Sequence, residues 1–136
     1  MTPDPSAIRS VAVSAADLLA AMEAEASGEA TAVLRVTPPF SGRMRARLHV
    51  VQDDADDGTV HIPPSAFFDD APAYPTPDET ADELRAAPEK SYSVDRHREY
   101  HERRVDQWRE TLLDCVVPSV SVPGTDHDVR VSVLGP

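Results

Sequence analysis

Arg43, Arg45 and Arg47 alternate with Met44, Ala46 and Leu48 in the run from Arg43 to Val51. On a strand, side chains two apart share a face and stand about 6.6 Å from each other along the chain. The spacing therefore lines up three guanidinium groups, and Arg35, in the preceding apolar run, is placed to join them from a neighbouring strand. Guanidinium is a planar, permanently charged fork that fits carboxylate and phosphate. Three like charges on one face repel one another unless anions sit nearby. The stripe thus reads either as an anion site or as a solvated face paired with the chain's own carboxylates. His97 and His101 form a second group, four residues apart on one helix face, a spacing at which two imidazoles can share a metal ion. Arg98 stands where a zinc-protease motif has its glutamate, and spacing fixes no third ligand, His61 and Asp106 being the available side chains. The pair therefore reads first as two histidines continuing a helix face, with a metal site as the lesser alternative.

Other groups are bounded more quickly. Cys115 is the single cysteine, so no disulfide forms within the chain. Near a helix C-terminus the dipole disfavours thiolate, and the residue reads as an inert thiol. Asp53-Asp54-Ala55-Asp56-Asp57-Gly58 is acidic enough to suggest calcium, but the twelfth position from Asp53 is Pro64, where an EF-hand loop needs Glu. That segment reads as a hydrated turn. The sequence carries no Gly-rich phosphate loop, dinucleotide fingerprint, nucleophile elbow or CxxC pair, and no cofactor is expected.

The elements that must hold these residues are set by periodicity and capping. Residues 1–7 read as a loose tail, and Ile8, Val11 and Val13 begin a short strand or pack against the next element. Ser14 is an N-cap with Asp17 three residues on, and Ala15, Leu18, Leu19, Met22 and Ala26 make one apolar stripe that Gly28 ends. Strands come next at Thr31–Thr37, Arg43–Val51 and Thr59–Ile62. Residues 63–92 read as an irregular, acidic, Pro-rich arm with one short helix at Asp78–Ala87 and with Phe67 and Phe68 as its apolar anchors. Ser93 caps a long helix running from Val94 to about Cys115. Trp108, Val105 and Leu112 make its apolar half, while His97, Arg98 and His101 face something polar. Val120 and Val122, then Val129, Val131 and Val133, read as a hairpin about Pro123-Gly124. The expected architecture is α+β: a single domain over 8–136 with a four- to five-stranded, mostly antiparallel sheet, the long helix on one face and the shorter N-terminal helix nearby.

Composition sets the setting. The chain of 136 residues carries 24 Asp and Glu against 13 Lys and Arg, a net charge of −11, and Lys90 is its one lysine. Carboxylate-rich, lysine-poor surfaces suit near-molar salt, where the screening length is about 3 Å and self-repulsion fades. High salt is then expected to be required for stability. No stretch approaches the ~20 apolar residues of a membrane span, and Met1-Thr2-Pro3-Asp4-Pro5 lacks the look of a secretory leader, so a cytoplasmic location is expected.

The segment Val33-Leu34-Arg35-Val36-Thr37-Pro38-Pro39-Phe40-Ser41-Gly42-Arg43-Met44-Arg45-Ala46-Arg47, with His61-Ile62-Pro63-Pro64, resembles small haloarchaeal proteins of unknown function. The resemblance implies a lineage and a salt-rich cytoplasm, and carries over no functional residue.

Three functional readings remain. The first is a non-catalytic binding or adaptor module whose partner is a protein or a second copy, with Phe67, Phe68 and Tyr74 on the arm. The second is a nucleic-acid-associated protein using Arg35, Arg43, Arg45 and Arg47, with Arg98 and the histidines in support. Phosphate-based binding weakens steeply with salt, so this reading also needs stacking, and Phe40 is the aromatic nearest the stripe. The third is an enzyme on an anionic small molecule, with Arg47 and Arg98 as clamp and His101 as acid and base. Binding is expected over catalysis, and a protein partner over nucleic acid.

Overall fold

The computed structural model describes residues 4–28, 30–51, 58–87 and 92–135. Three α-helices and seven strands appear among them, and the strands divide between two sheets. The α+β class holds; the single mostly antiparallel sheet expected from the sequence is corrected to two. The chain falls into two compact units, one of Met1–Asp69 with Val116–Pro136, the other Asp70–Cys115.

In the first unit, strand β1 (Ser10–Ser14) leads directly into helix α1 (Ala15–Ser27). The Ser14 hydroxyl accepts from the Asp17 N–H at 3.0 Å, and Gly28 closes the helix in the left-handed region at φ 71, donating to Ala24 and Glu25 carbonyls. That φ is strained for a residue with a side chain, which is why glycine stands there. β2 (Ala32–Val36), β4 (Arg47–Val50) and β5 (Val60–Ile62) form a three-stranded sheet in the order β4-β2-β5, both outer strands antiparallel to β2. β3 (Arg43–Arg45), β6 (Ser119–Ser121) and β7 (Asp128–Leu134) join β1 in a four-stranded mixed sheet, order β3-β1-β7-β6. β1 runs parallel to both β3 and β7, and β6 with β7 makes the expected hairpin.

The run from Arg43 to Val51 is therefore not one strand. It changes sheets at Ala46, which is fully buried. The Ala46 N–H donates to the Ala12 carbonyl in β1, whereas the Leu48 N–H donates to the Asp17 carboxylate of α1 at 3.1 Å. Asp17 thus satisfies a backbone donor at the start of β4 rather than completing a reciprocal cap on its own helix. Strand periodicity survives such a switch, because it records which way a side chain points and not which strand lies alongside.

The core of this unit is aliphatic: Ile8, Val11, Val13, Leu18, Leu34, Val36, Ile62, Val122 and Val129 are all at most 1% exposed. Phe67 joins them with no exposure, at the end of a 3-10 turn, Pro64–Phe67. Phe68 is nearly buried and bridges Val116. The loose tail expected at 1–7 is, from Asp4 on, a short turn whose Asp4 carboxylate accepts from the Ser6 N–H. The Asp-rich stretch read as a hydrated turn lies, up to Asp57, outside the described residues.

In the second unit α2 (Pro77–Ala86) packs against α3 (Val94–Leu113). Thr76 and Ser93 are the N-caps, each accepting from the N–H three residues on. Pro77 at the first helical position supplies a pre-set φ where its missing donor costs nothing. The chain before α2 runs alongside α3: the Trp108 indole donates to the Pro72 carbonyl at 3.0 Å, and Tyr74 meets the Trp108 ring edge-on at 4.8 Å. The short helix expected in the arm is present as α2, and a 3-10 turn and a bridge add order before it, with 88–91 outside the described residues. Among the described residues, no helix is long and apolar enough to cross a membrane.

Candidate functional site

The outer face of the four-stranded sheet gathers arginines that are far apart in sequence. Ser10 sits opposite Arg43 on one side and Arg130 on the other, and Arg130 is opposite Ser119. Directly opposite residues share a face. One row across the sheet is therefore Arg43, Ser10, Arg130, Ser119, and the next is Arg45, Ala12, Ser132. With strands about 4.8 Å apart, the backbones of Arg43 and Arg130 stand about 10 Å from each other with only a serine between. Arg9 enters just before β1. Its N–H donates to the Gly42 carbonyl and its carbonyl accepts from the Arg130 N–H, both at 2.9 Å, and its side-chain stem lies beside Gly42. An open groove of about 840 Å³ results, lined by Arg9, Arg43 and Arg130 around Ser10, Ala12 and Ser132.

Arg9, Arg43, Arg45 and Arg130 are all exposed, and among the described residues no hydrogen bond or ion pair engages their side chains. Small residues between them leave the guanidiniums free to converge on something in the groove. Among the described residues no histidine, acid or cysteine lines it. The arrangement can hold an anion; its hydroxyls, Ser10 and Ser132, have no base beside them among the described residues of the lining.

The three-stranded sheet carries the rest of the sequence-derived stripe. Arg35 is directly opposite Arg47 on one side and His61 on the other, and Val33 is opposite His49. The His49 and His61 rings lie 5.5 Å apart, and His61 Nε2 is 2.9 Å from the Thr59 hydroxyl. Arg47 is exposed, and Arg35, His49 and His61 are half-buried. The stripe therefore divides at Ala46. Arg43 and Arg45 join Arg9 and Arg130, while Arg35 and Arg47 face each other in the other sheet. Segment 52–57, which joins the two outer strands of that sheet, is outside the described residues.

Arg98 belongs to the second unit, exposed on α3. His97 and His101 are there too, and their nitrogens converge on one hydroxyl. Thr80, the buried polar residue of α2, has its Oγ1 2.9 Å from His97 Nε2 and 2.9 Å from His101 Nδ1. His97 Nε2 also reaches the Pro77 carbonyl at 3.0 Å. The pair is a hydrogen-bonded joint between two helices, and among the described residues no cluster of three or more His, Cys, Asp or Glu could hold a metal ion.

Beside this joint, Arg104 grips Glu83 with two nitrogens, at 2.8 and 3.3 Å, and the Tyr100 hydroxyl donates to the same carboxylate at 2.6 Å. Hydrogen bonds from Arg104, then Tyr100, hold the Glu83 carboxyl below its ordinary value. The same carboxylate raises the Tyr100 hydroxyl and the Arg104 guanidinium. The Cys115 thiol donates back to the Thr111 carbonyl at 3.3 Å.

Two expectations change their meaning. Phe67 and Phe68 are core residues of the first unit, so they present no exposed docking surface. Arg47 and the pair Arg98 and His101 belong to different units. Arg9 and Arg130 are the residues that periodicity alone could not supply. Each is a single charge beside an apolar strand pattern, and only the pairing of β1 with β7 brings them together. Comparison with known proteins adds a family and no activity. Neither a curated protein nor a solved structure matches the chain. The family model that matches, over residues 1–135, is described as a domain of unknown function, DUF8009, and the chain belongs to that family.

Proposed function

We propose that this DUF8009 domain is a non-catalytic binding module that takes an acidic protein partner on the arginine-lined face of its four-stranded sheet, in a salt-rich cytoplasm of the haloarchaeal kind. The observation that carries the reading is the groove itself. Three exposed arginines without partners among the described residues, Arg9, Arg43 and Arg130, line it, with Arg45 on the same sheet face, in a chain whose net charge is −11. Like charges on one face repel one another, and an incoming anion relieves that repulsion.

The class of anion is set by what else the groove offers. Nucleic-acid binding built on phosphate contacts falls steeply with salt unless bases stack on aromatic side chains. Among the described residues no aromatic side chain lines the groove. Carboxylates on a protein segment can be held by bidentate arginine forks together with uncharged contacts, which salt screens less. Among the described residues no acid or base lines the groove to activate its serines, which favours binding over turnover.

The test is calorimetric titration of the whole chain, in molar KCl, with a short oligoglutamate peptide and separately with a single-stranded oligonucleotide. Saturable binding of the peptide, weakened at least ~10-fold in an Arg9→Gln, Arg43→Gln, Arg130→Gln variant, is the expected result. Preference for the oligonucleotide would transfer the face to a nucleic-acid partner, and indifference of the peptide to the triple substitution would remove it as the site.

A further inference from the structure

The four-stranded sheet ends on β3, and the geometry points to that edge as the place where the partner docks, as an added β-strand whose alternate residues are acidic. The inference rests on the proposed acidic partner and specifies how it binds.

The parallel ladder with β1 consumes only half of the backbone groups of β3. Ser10 N–H donates to the Gly42 carbonyl and Ala46 N–H donates to the Ala12 carbonyl. With register Ser10 to Arg43 and Ala12 to Arg45, the alternation of a strand turns the Met44 groups toward β1 and those of Arg43 and Arg45 away from it. Among the described residues nothing in the sheet lies beyond β3. The Arg43 carbonyl receives the Ser41 hydroxyl at 3.1 Å, which leaves its second lone pair. Among the described residues no hydrogen bond engages the Arg43 N–H, the Arg45 N–H or the Arg45 carbonyl. Two residues of open ladder are thus offered at the rim of the groove, a template for strand addition.

The side chains on this edge select what may use it. Residues opposite each other across a new ladder share a face, so an incoming strand would set positions i and i+2 beside Arg43 and Arg45. The two arginines repeat at about 6.6 Å, the same repeat at which an extended segment presents alternate side chains. Carboxylates at i and i+2 would then each meet a guanidinium. Residue i+1 would fall on the opposite face, beside Met44, which shares its face with the buried Val11. The recognised pattern is therefore acidic, apolar, acidic, in extended form. A second copy of this chain pairing β3 against β3 would oppose arginine to arginine, so charge excludes self-pairing and admits the acidic strand. Backbone hydrogen bonds also explain how a charge-guided contact would persist at high salt, since they are not screened as exposed ion pairs are.

The experiment uses the intact chain and a short synthetic peptide with the core Glu-Val-Glu, unmodified or N-methylated on one or the other alternate set of amides. Affinities are measured in molar KCl. Expected is a loss of at least ~10-fold for one methylated set, whose N–H groups face β3, and near-unchanged affinity for the other, whose N–H groups face solvent. If both methylated peptides bind as the parent does, while the Arg9, Arg43, Arg130 variant still loses binding, strand addition is overturned and the acidic-partner reading stands. If no acidic peptide binds, both fall.

Discussion

The same residue types are put to opposite uses in the two units. In Asp70–Cys115 the charged and polar side chains answer one another. Arg104 holds Glu83, Tyr100 completes that carboxylate, Arg109 pairs with Asp106 at 3.0 Å, Arg85 lies over the Tyr92 ring at 4.3 Å, and two histidines share the Thr80 hydroxyl. In the other unit Arg9, Arg43, Arg45 and Arg130 crowd one sheet face with none of the described residues to pair them. Arg104 on α3 is part of how two helices are joined; the arginines on the sheet are available. What separates the roles is neither residue type nor exposure but whether the fold supplies a partner within reach, and that difference is what makes the sheet the candidate site and the helix pair a structural joint.

The comparison can be broken most forcefully at Phe67. If this residue belongs to the framework that carries the arginine face, Phe67→Ala should destabilise the chain by about 3–5 kcal/mol in denaturant unfolding, the range for emptying a buried aromatic site. A folded variant of unchanged stability that had lost only a partner would return Phe67 to the surface. Next in size is the histidine joint. Thr80→Val keeps the shape of a buried residue and strips the hydroxyl from two imidazole nitrogens. A loss of about 1–2 kcal/mol is expected, and no change in acidic-peptide affinity.

A smaller effect is expected at Glu83. Its carboxyl is depressed in the folded chain, so its contribution is fully present above its ordinary value of 4.5 and lost as pH falls through the folded value. Because both partners are partly exposed, the size is that of a surface ion pair, ~0.5 kcal/mol. Thermal melts of the parent and of Glu83→Gln should therefore differ near neutral pH and converge in acid; a gap that widened in acid would contradict the assignment. The smallest effect on stability sharpens the contrast. The Arg9→Gln, Arg43→Gln, Arg130→Gln variant should melt within ~0.5 kcal/mol of the parent, or slightly above it, since no pairing with a described residue is lost and repulsion is relieved. A clear destabilisation would show that the fold depends on these arginines after all.

Much of the local structure was legible. Ser14, Gly28 and Ser93 mark helix ends by chemistry that acts within four residues, and α1, α3 and the C-terminal hairpin lie close to where capping and periodicity put them. Even at α2 the miss is small: Thr76 is the cap where a start at Asp78 was read. The site was legible only in part. Arg43 and Arg45 were found because they alternate on one strand, while Arg47 was assigned with them because the same alternation continues past Ala46 into another sheet. Phe67 and Phe68 were read as anchors of an open arm because Pro-rich, acidic surroundings resemble exposed chain, yet both are packed away.

By itself, then, the sequence determined the class of fold, the helix boundaries, the face to which each strand residue turns and the charge the whole must carry. All of these are set by interactions between residues a few positions apart or by simple composition. Only the tertiary structure decided that β1 lies between β3 and β7, that the chain changes sheets at Ala46, and that Arg9 and Arg130 meet Arg43 over Ser10. Strand pairing over such separations is chosen by how the whole set of apolar faces can be buried at once, and a period-two pattern is compatible with any partner that offers an apolar face.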